Sequence, residues 1–439
     1  MRGLFLIIAL ILPLFGSIER GVFDGKFFYD VKRDKDSTFL RKRDLENVIL
    51  KRKIDSEFVR DIKVFGEYLY IVYDYKKAAV LEKIDKSDLK SVFRKVISSD
   101  GIDFAFCLYP SKDFVFVTGG TTGNLAKENR GGSDIFLAKF STRGDEEGIW
   151  QFGSEFDEWG REVVFKDGYI FLACERSQKS DPRDIEILKL DENGSLILDK
   201  IFLKDGEDLI ADMKVSDKIY LYLQNWSNEG NSFSDLYLMS LSLNAKQSQI
   251  VGFKNPSIDQ PINMQIKDKI YFSFKNLNSF GYVMSKSSFF TAIYKEGLNP
   301  VVFPVGEANG GIWMDNNYLY VLGEGIERFK MGDFYEISLI ARFYTQFFKR
   351  AIKKHEMDYW LNRLKKDFKS AVLVLFHSRE FKEKNEDISK YSFIKLLYRA
   401  LLNREPKRSA IGFWSSFEEE RIVKGVLNSK EFSSLMKSF

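Results

Sequence analysis

The stretch "GGSDIFLAKFSTRG" (131–144) sets an alternating apolar run between two polar turns, and "DIEILKLDENG" (184–194) and "DLYLMSLSLNA" (235–245) repeat its shape. Alternation at period two sends successive side chains to opposite faces of a strand, and the Gly, Asp, Asn and Ser that close each run favour turns. Working outward, a second element recurs ahead of such runs, a polar turn and a short aromatic strand. It reads "DGKFFYDV" at 24, "FGEYLYIVY" at 65, "SKDFVFVTG" at 111, "KDGYIFLAC" at 166, "VSDKIYLYL" at 215, "IKDKIYFSF" at 266 and "MDNNYLYVL" at 314. An aromatic holds the equivalent place in all seven (Tyr29, Tyr70, Phe116, Phe171, Tyr220, Tyr271, Tyr320), at intervals of 41, 46, 55, 49, 51 and 49 residues. The aromatics are expected to stack between units as core.

Further strand-like stretches such as "VILKRKI", "SVFRKVIS" and "SLILDKIF" bring most units to four strands. A four-stranded unit of this length, repeated, is the signature of a β-propeller blade. One such sheet exposes two half-apolar faces and cannot bury them alone, so each blade needs a neighbour and only a ring leaves none unpaired. The fold class expected is mainly β, a propeller of seven blades (six as the alternative) followed by a small α-helical domain. The last unit, "GGIWMD", "NYLYVL" and "GIERFKMG", lacks an obvious fourth strand.

Residues 131–176 resemble the bacterial extracellular β-propeller repeat of SBBP type. The likeness lies in the "GGSD" lead, the Lys139 and Gly144 spacing, Trp150-Gln151 on an outer strand and an acidic turn at Glu155 to Glu158. It covers about one and a half blades.

From about Phe334 the period becomes helical. Ile340, Phe343, Tyr344, Phe347 and Phe348 recur at three to four, and no Gly or Pro lies between Gly332 and Pro406. This part repeats too: Arg342-Phe343-Tyr344, Arg350, Tyr359-Trp360, Ser378 and Glu380-Phe381 correspond to Leu396-Leu397-Tyr398, Arg404, Phe413-Trp414, Ser429 and Glu431-Phe432, at an offset of 54 contracting to 51. Residues 393–435 resemble the bacterial family called domain of unknown function 4214. The match rests on Tyr398, Asn403-Arg404-Glu405-Pro406, Gly412 with Trp414, and Asn428-Ser429 with Glu431-Phe432. Asn403 stands where the family prefers Gly, and the first copy lacks the Pro turn. The resemblance implies a helical module of secreted and cell-surface bacterial proteins and brings no activity with it.

Three segments are expected: 1–17 a signal peptide, 18–332 the propeller, and 333–439 the helical domain with its internal repeat of about 54 residues. The leader has one Arg, an apolar run from Leu4 to Phe15, then Gly16 and Ser17. Twelve apolar residues fall short of the roughly 20 that span a bilayer. The expectation is therefore export to the periplasm, cell surface or medium, with no membrane span in the mature chain. Cys107 and Cys174 sit in apolar strands, where buried free thiols are the commoner state, and export would also permit a disulfide between them.

Net charge is +4, but residues 342–439 hold 22 Lys plus Arg against 12 Asp plus Glu, a net of +10, leaving −6 before them. With export, an acidic surface glycan or an envelope protein is a better partner for the basic domain than nucleic acid, which is not expected. The basic stretch 41–54 ("RKRDLENVILKRKI") reads as a solvated surface.

Catalytic, cofactor and metal sets are not found. His355 and His377 are the only histidines and lie outside the propeller, without zinc-ligand spacing. "GGTTGN" (119–124) lacks the Lys-Ser/Thr pair of a phosphate loop, and "DENGS" (191–195) and "GDEEG" (144–148) read as hairpin turns. Trp150, Trp159, Trp226 and Trp313 are read as packing residues. The functional expectation is an exported, non-enzymatic scaffold or binding protein of the cell envelope or surface, without cofactor and with its ligand unidentified. The alternative is a carbohydrate-active enzyme or lectin that uses paired carboxylates or tryptophans at the axial mouth.

Overall fold

The computed structural model describes residues 18–438, apart from 36, 57, 178–182, 203–205, 227–233, 254–258, 277–278, 281, 285–287, 297, 307–310 and 324. The leader expectation for 1–17 lies outside the described residues. Among them, no helix is long and apolar enough to cross a membrane.

The strands form a seven-bladed β-propeller, followed by a C-terminal region of eight helices among the described residues. Each blade is an antiparallel meander. Blades 1 to 5 have four strands in sequence order, and blade 6 carries a two-stranded insertion (Ser279–Phe280 with Val283–Met284) between its second and third strands. Blade 7 has three (Ile312–Met314, Tyr318–Leu322, Ile326–Lys330), as its sequence suggested, and the chain then enters helix. In the first five blades the first strands of neighbours touch in succession, so they form the inner wall. The equivalent aromatics lie on second strands; all are buried except Tyr220, which is half-buried. Four also bond their own hairpin: Tyr29 Oη donates to Asp24, Tyr220 to Asp217, Tyr271 to Asp268 and Tyr320 to Asp315.

What joins blades laterally is a lysine at one place on the third strand. Lys42 Nζ donates to Lys86 O at 3.0 Å, Lys83 to Thr142 O at 2.8 Å and Lys139 to Glu192 O at 3.4 Å, while Lys189 reaches Asn244 Oδ1 at 3.5 Å. Each carbonyl or amide belongs to the turn before the fourth strand of the next blade. The ammonium groups also lie over aromatic rings, Lys83 Nζ at 3.9 Å from the Tyr68 centroid and Lys139 Nζ at 3.7 Å from Phe114. Turn glycines allow the approach. Gly194, at φ 81°, lies so close to Trp150 of the preceding blade that a Cβ would stand 2.1 Å from the indole. Blade 7 meets blade 1 where Arg43 Nη1 donates to Gly323 O at 3.0 Å and Trp313 packs on the core of blades 1 and 2.

The stretch 41–54 keeps its expected solvated character over residues 44–53, which are exposed or half-buried, but departs from it at its start. Arg41 and Arg43 are buried and converge on Asp30, at 2.6 and 2.8 Å, and Asp30 itself is 0% exposed. Alternation explains this: on the third strand, positions 41 and 43 face across to Asp30 on the second, and the pairing makes burial of all three tolerable.

The chain divides into two compact units. One extends to Met264 and includes Asn309–Trp313 and Leu322–Ile326; the other comprises Gln265–Ala308, Met314–Val321 and Glu327–Phe439. The second unit therefore joins strands of blade 6 to the helices. Phe334 stacks on Phe303 (5.5 Å, 13°), Ser338 Oγ donates to Val302 O at 2.5 Å, and Asn403 Nδ2 donates to Pro300 O at 2.9 Å.

The helices are α1 (Phe334–Phe343, extended by a π-turn over Tyr344–Phe348), α2 (Lys354–Lys366), α3 (Phe368–His377), α4 (Arg379–Lys384), α5 (Lys390–Leu402), α6 (Arg408–Trp414), α7 (Glu419–Leu427) and α8 (Lys430–Ser438). The apolar stripe from Ile340 to Phe348 is buried throughout. So is Arg342, which the charge pattern had placed on a solvated basic body. It is 1% exposed, and its guanidinium donates to Ala400 O at 2.9 Å and Ser338 Oγ at 2.7 Å.

The internal repeat is realised bond by bond. Trp360 Nε1 donates to Tyr344 Oη at 2.9 Å, and Trp414 Nε1 to Tyr398 Oη at 2.9 Å. Arg350 pairs with Glu380 (2.7 Å) and lies 4.8 Å from the Tyr344 ring; Arg404 pairs with Glu431 (2.5 Å) and lies 5.0 Å from Tyr398. Lys349 (φ 56°) and Asn403 (φ 53°) end the long helices in the left-handed conformation. This explains why Asn can stand where the family prefers Gly. Ser378 and Ser429 cap α4 and α8 through Phe381 N and Phe432 N. Without the Pro turn, the first copy is held by Arg350 reaching a second carboxylate, Glu356, at 2.7 Å.

Candidate functional site

In blades 2 to 5 each inner strand carries one extra residue: Arg60, Phe106, Arg161 and Ala211. A bulge at a constant place re-aims the side chain that follows it. The residues that follow are Asp61, Cys107, Glu162 and Asp212, and the corresponding irregularity in blade 1 precedes Arg20. The inner wall thereby gains a polar ring of Asp61, Lys63, Cys107, Glu162, Asp212 and Lys214.

Two members tie one inner strand to the next. Asp61 accepts from Leu108 N at 3.1 Å, its own neighbour Ile62 N at 2.8 Å and Lys63 Nζ at 3.0 Å; Asp212 accepts from Met264 N at 2.8 Å and Lys214 Nζ at 2.6 Å. Burial alone would raise the Asp61 pKa, but Lys63, Arg20 and the Leu108 N–H outweigh it and hold the carboxyl below the usual range. Lys63 is pushed up, because attraction to Asp61, Cys107, Glu162 and Asp212 overrides its burial. Glu162 lies between the others. Burial, then the charges of Asp212 and Asp61, raise it to about 7, and Cys107 Sγ donates to its Oε2 at 3.2 Å. The Cys107 thiol is in turn held neutral by burial and by Glu162.

Next to the ring, the bulge residues form a layer. The Arg60 and Arg161 guanidiniums lie 5.6 and 4.0 Å from the Phe106 ring, on strands of the two flanking blades. Arg60 pairs with Asp74 (2.5 Å), and Arg161 and Arg183 share Glu175 (both 3.2 Å). Burial, together with repulsion from Arg183, Arg20 and Arg60, lowers the Arg161 pKa despite Glu175. The layer is half-buried and aromatic, and each of its guanidiniums is paired with a carboxylate.

The residues singled out in the sequence do not converge there. Trp150 is on the outer strand of blade 3, Trp159 on the inner strand of blade 4 within 5.2 Å of Arg183, Trp226 ends a second strand of blade 5, and Trp313 packs on blades 1 and 2. His355 and His377 are exposed on helices. Residues 119–121 end the second strand of blade 3 (Phe114–Thr121), and 119–124 offers no phosphate cradle: Gly123 N donates to Thr121 Oγ1 at 3.1 Å and Asn124 N to the Asp100 carboxylate at 2.7 Å. Asp191 accepts from Asn193 N and Ser195 N, forming the hairpin turn expected. Cys107 and Cys174 are free and buried. Among the described residues no group of three His, Cys, Asp or Glu could hold a metal ion.

The polar ring had a signal in the sequence. Arg20, Asp61, Cys107 and Glu162 each stand nine residues before the unit's aromatic, and Asp212 stands eight before.

Residues 372–436 match the family described as Domain of unknown function (DUF4214). The match begins within α3 of the first copy and ends within α8 of the second. Among curated proteins none matches the sequence. Solved structures that resemble the chain include Hsv2 of Kluyveromyces lactis (12% identity, TM-score 0.42, 72% of this chain and 94% of that one). Hydrazine synthase of Kuenenia stuttgartiensis (10%, 0.48, 70% and 93%) and Drosophila Plexin A in complex with Semaphorin 1b (7%, 0.43, 72% and 85%) are others. Their functions vary, and at these identities they bear on no activity of this chain. The likeness of residues 131–176 to the SBBP-type repeat is one of sequence; the propeller is what the structure shows.

Proposed function

We propose that this chain is an exported, non-enzymatic scaffold of the bacterial cell envelope or surface, in which the propeller is a rigid platform and the basic helical module engages an acidic surface glycan. The observation that carries this reading is the contrast between the two bodies of charge. The propeller's axial carboxylates Asp61 and Asp212 are engaged by backbone N–H groups and lysines, whereas residues 342–439 of the helical region carry a net charge of +10 and expose lysines such as Lys382, Lys384, Lys430 and Lys437. Attraction of this kind is long-ranged and screened by salt. The full chain should sediment with envelope fractions at about 50 mM salt and be released by about 500 mM, where the Debye length falls to a few ångströms. Replacing the four exposed lysines by Glu should abolish sedimentation. Retention that ignores both salt and these charges would refute the proposal.

A second reading is favoured by the Arg60–Phe106–Arg161 layer: a lectin-like site for an acidic sugar at the propeller axis. In that case Arg161→Met would abolish glycan binding and the four-lysine variant would leave it intact.

A further inference from the structure

The geometry points to a binding site for an acidic saccharide in the first helical copy, between α2 and α3; the proposal rests on the acidic-glycan reading of the helical module and gives it an address. A cavity of about 400 Å³ is lined there by Tyr359, Asn362, Arg363, Lys366, Asp367 and Ser370. That volume falls within the range of small-ligand sites.

The duplication supplies an internal comparison. Between the repeat tryptophan and the N-cap of the next helix, the first copy has six residues (361–366) and the second three (415–417). All six are helical in the first copy, so α2 runs for 13 residues, whereas α6 ends at its tryptophan after 7. Both copies leave an aromatic exposed before the tryptophan, Tyr359 at 54% and Phe413 at 59%. Each is held edge-on by its tryptophan, at 5.0 Å and 80° in the first copy and 4.8 Å and 73° in the second.

What stands four residues on differs. In the second copy it is Phe417, whose ring lies 5.2 Å from Phe413. In the first it is Arg363, whose Nη1 donates to Tyr359 Oη at 3.2 Å. A site closed by an aromatic ring in one copy is bordered in the other by a guanidinium beside an open tyrosine face.

The chemistry of the lining selects the ligand. A flat ring with one free face packs against the C–H face of a pyranose, and Asn362 and Ser370 offer hydroxyl partners. A carboxylate on that sugar would meet Arg363 and Lys366, neither of which has a carboxylate within ion-pair distance among the described residues. Neighbouring Lys365 and Lys369 are engaged by Asp333 and Asn428. Asp367, the acid in the lining, already accepts from Ser370 N at 3.1 Å as the α3 cap. A planar guanidinium reads a carboxylate through two parallel bonds.

The test is calorimetric titration of the full chain with trigalacturonate, and with its methyl ester as the neutral counterpart. Saturable binding of trigalacturonate is expected, weakened about tenfold or more by esterification, Tyr359→Ala, Arg363→Gln or Lys366→Gln, the scale of one charge-assisted bond or one stacked ring. Phe413→Ala should leave binding unchanged. These residues are on the surface, and an unaltered melting temperature will show that each variant folds. Absence of saturation at about 10 mM overturns the proposal. So does equal affinity for the ester, binding indifferent to Tyr359→Ala, or displacement by inorganic phosphate at the same concentration. Sedimentation of Tyr359→Ala with envelope fractions separates the fates of the two proposals: loss of sugar binding with retained salt-sensitive association would leave the scaffold reading standing.

Discussion

Glu162→Gln tests whether the propeller axis is assembled as described. The Glu162 carboxyl is pushed from about 4.5 to about 7 by burial and by Asp212 and Asp61, with Lys63 and Lys214 pulling the other way. A carboxyl that keeps its proton longer in the folded state makes folding less favourable as pH rises. The loss begins near 4.5, where the unfolded chain ionises, and is complete above about 7. At 1.36 kcal/mol for each pH unit between those values the ceiling is about 3 kcal/mol. The side chain keeps partial contact with solvent, which lowers the expectation to about 2 kcal/mol. Glutamine cannot ionise and still offers Cys107 Sγ an acceptor, so the variant should lack this pH dependence. With an unfolding entropy near 2.1 cal/mol/K per residue, about 0.6 kcal/mol/K over roughly 300 residues, 2 kcal/mol corresponds to about 3 °C. Melting temperatures of the two proteins, measured at pH 5 and pH 8, should therefore diverge by about 3 °C in favour of the variant as pH rises. Glu186, pushed to about 8 by burial and Asp199, titrates in both proteins and cancels. A difference that is constant with pH, or one that favours wild type at pH 8, would refute the reasoning.

Three further outcomes are expected. Lys83→Met removes both the donor to Thr142 O and the ammonium 3.9 Å from the Tyr68 centroid, and should cost about 2 kcal/mol in denaturant unfolding; no loss would show that the lysines do not join blades. Tyr344→Phe leaves the buried Trp360 N–H without its acceptor and should cost about 1 kcal/mol by the same measurement, whereas the half-buried Trp414 N–H can turn to water in Tyr398→Phe, which should cost less; a larger loss in Tyr398→Phe would contradict the placement of the two pairs. Cys107 and Cys174, whose thiols are pushed well up by burial, should resist a thiol-directed chromogenic reagent at pH 8 until the chain is unfolded, and prompt labelling of the native protein would contradict their placement.

Much of the architecture was legible because it is periodic. The seven aromatics at intervals near 50 residues mark the second strands, "GIERFKMG" announces a last blade one strand short, and the Tyr-Trp pattern at offset 54 returns as matched hydrogen bonds. The axial ring was spaced as regularly, yet its members differ in type. Arg20, Asp61, Cys107, Glu162 and Asp212 share a position and not a chemistry, so no motif draws attention to them.

Period-two and period-3.6 patterning, set by local backbone geometry, thus determined the order of blades and helices and the existence of a duplicated module. Burial and pairing were decided only in three dimensions. Whether a charge is solvated depends on which distant strand packs over it: Arg41 and Arg43 close on Asp30, and Arg342 disappears beneath α5 while its lysine neighbours stay in water. Arg363 and Phe417 stand four residues after Tyr359 and Phe413, but only the structure shows that the first lies on a continued α2 beside the cavity and the second beyond the end of α6.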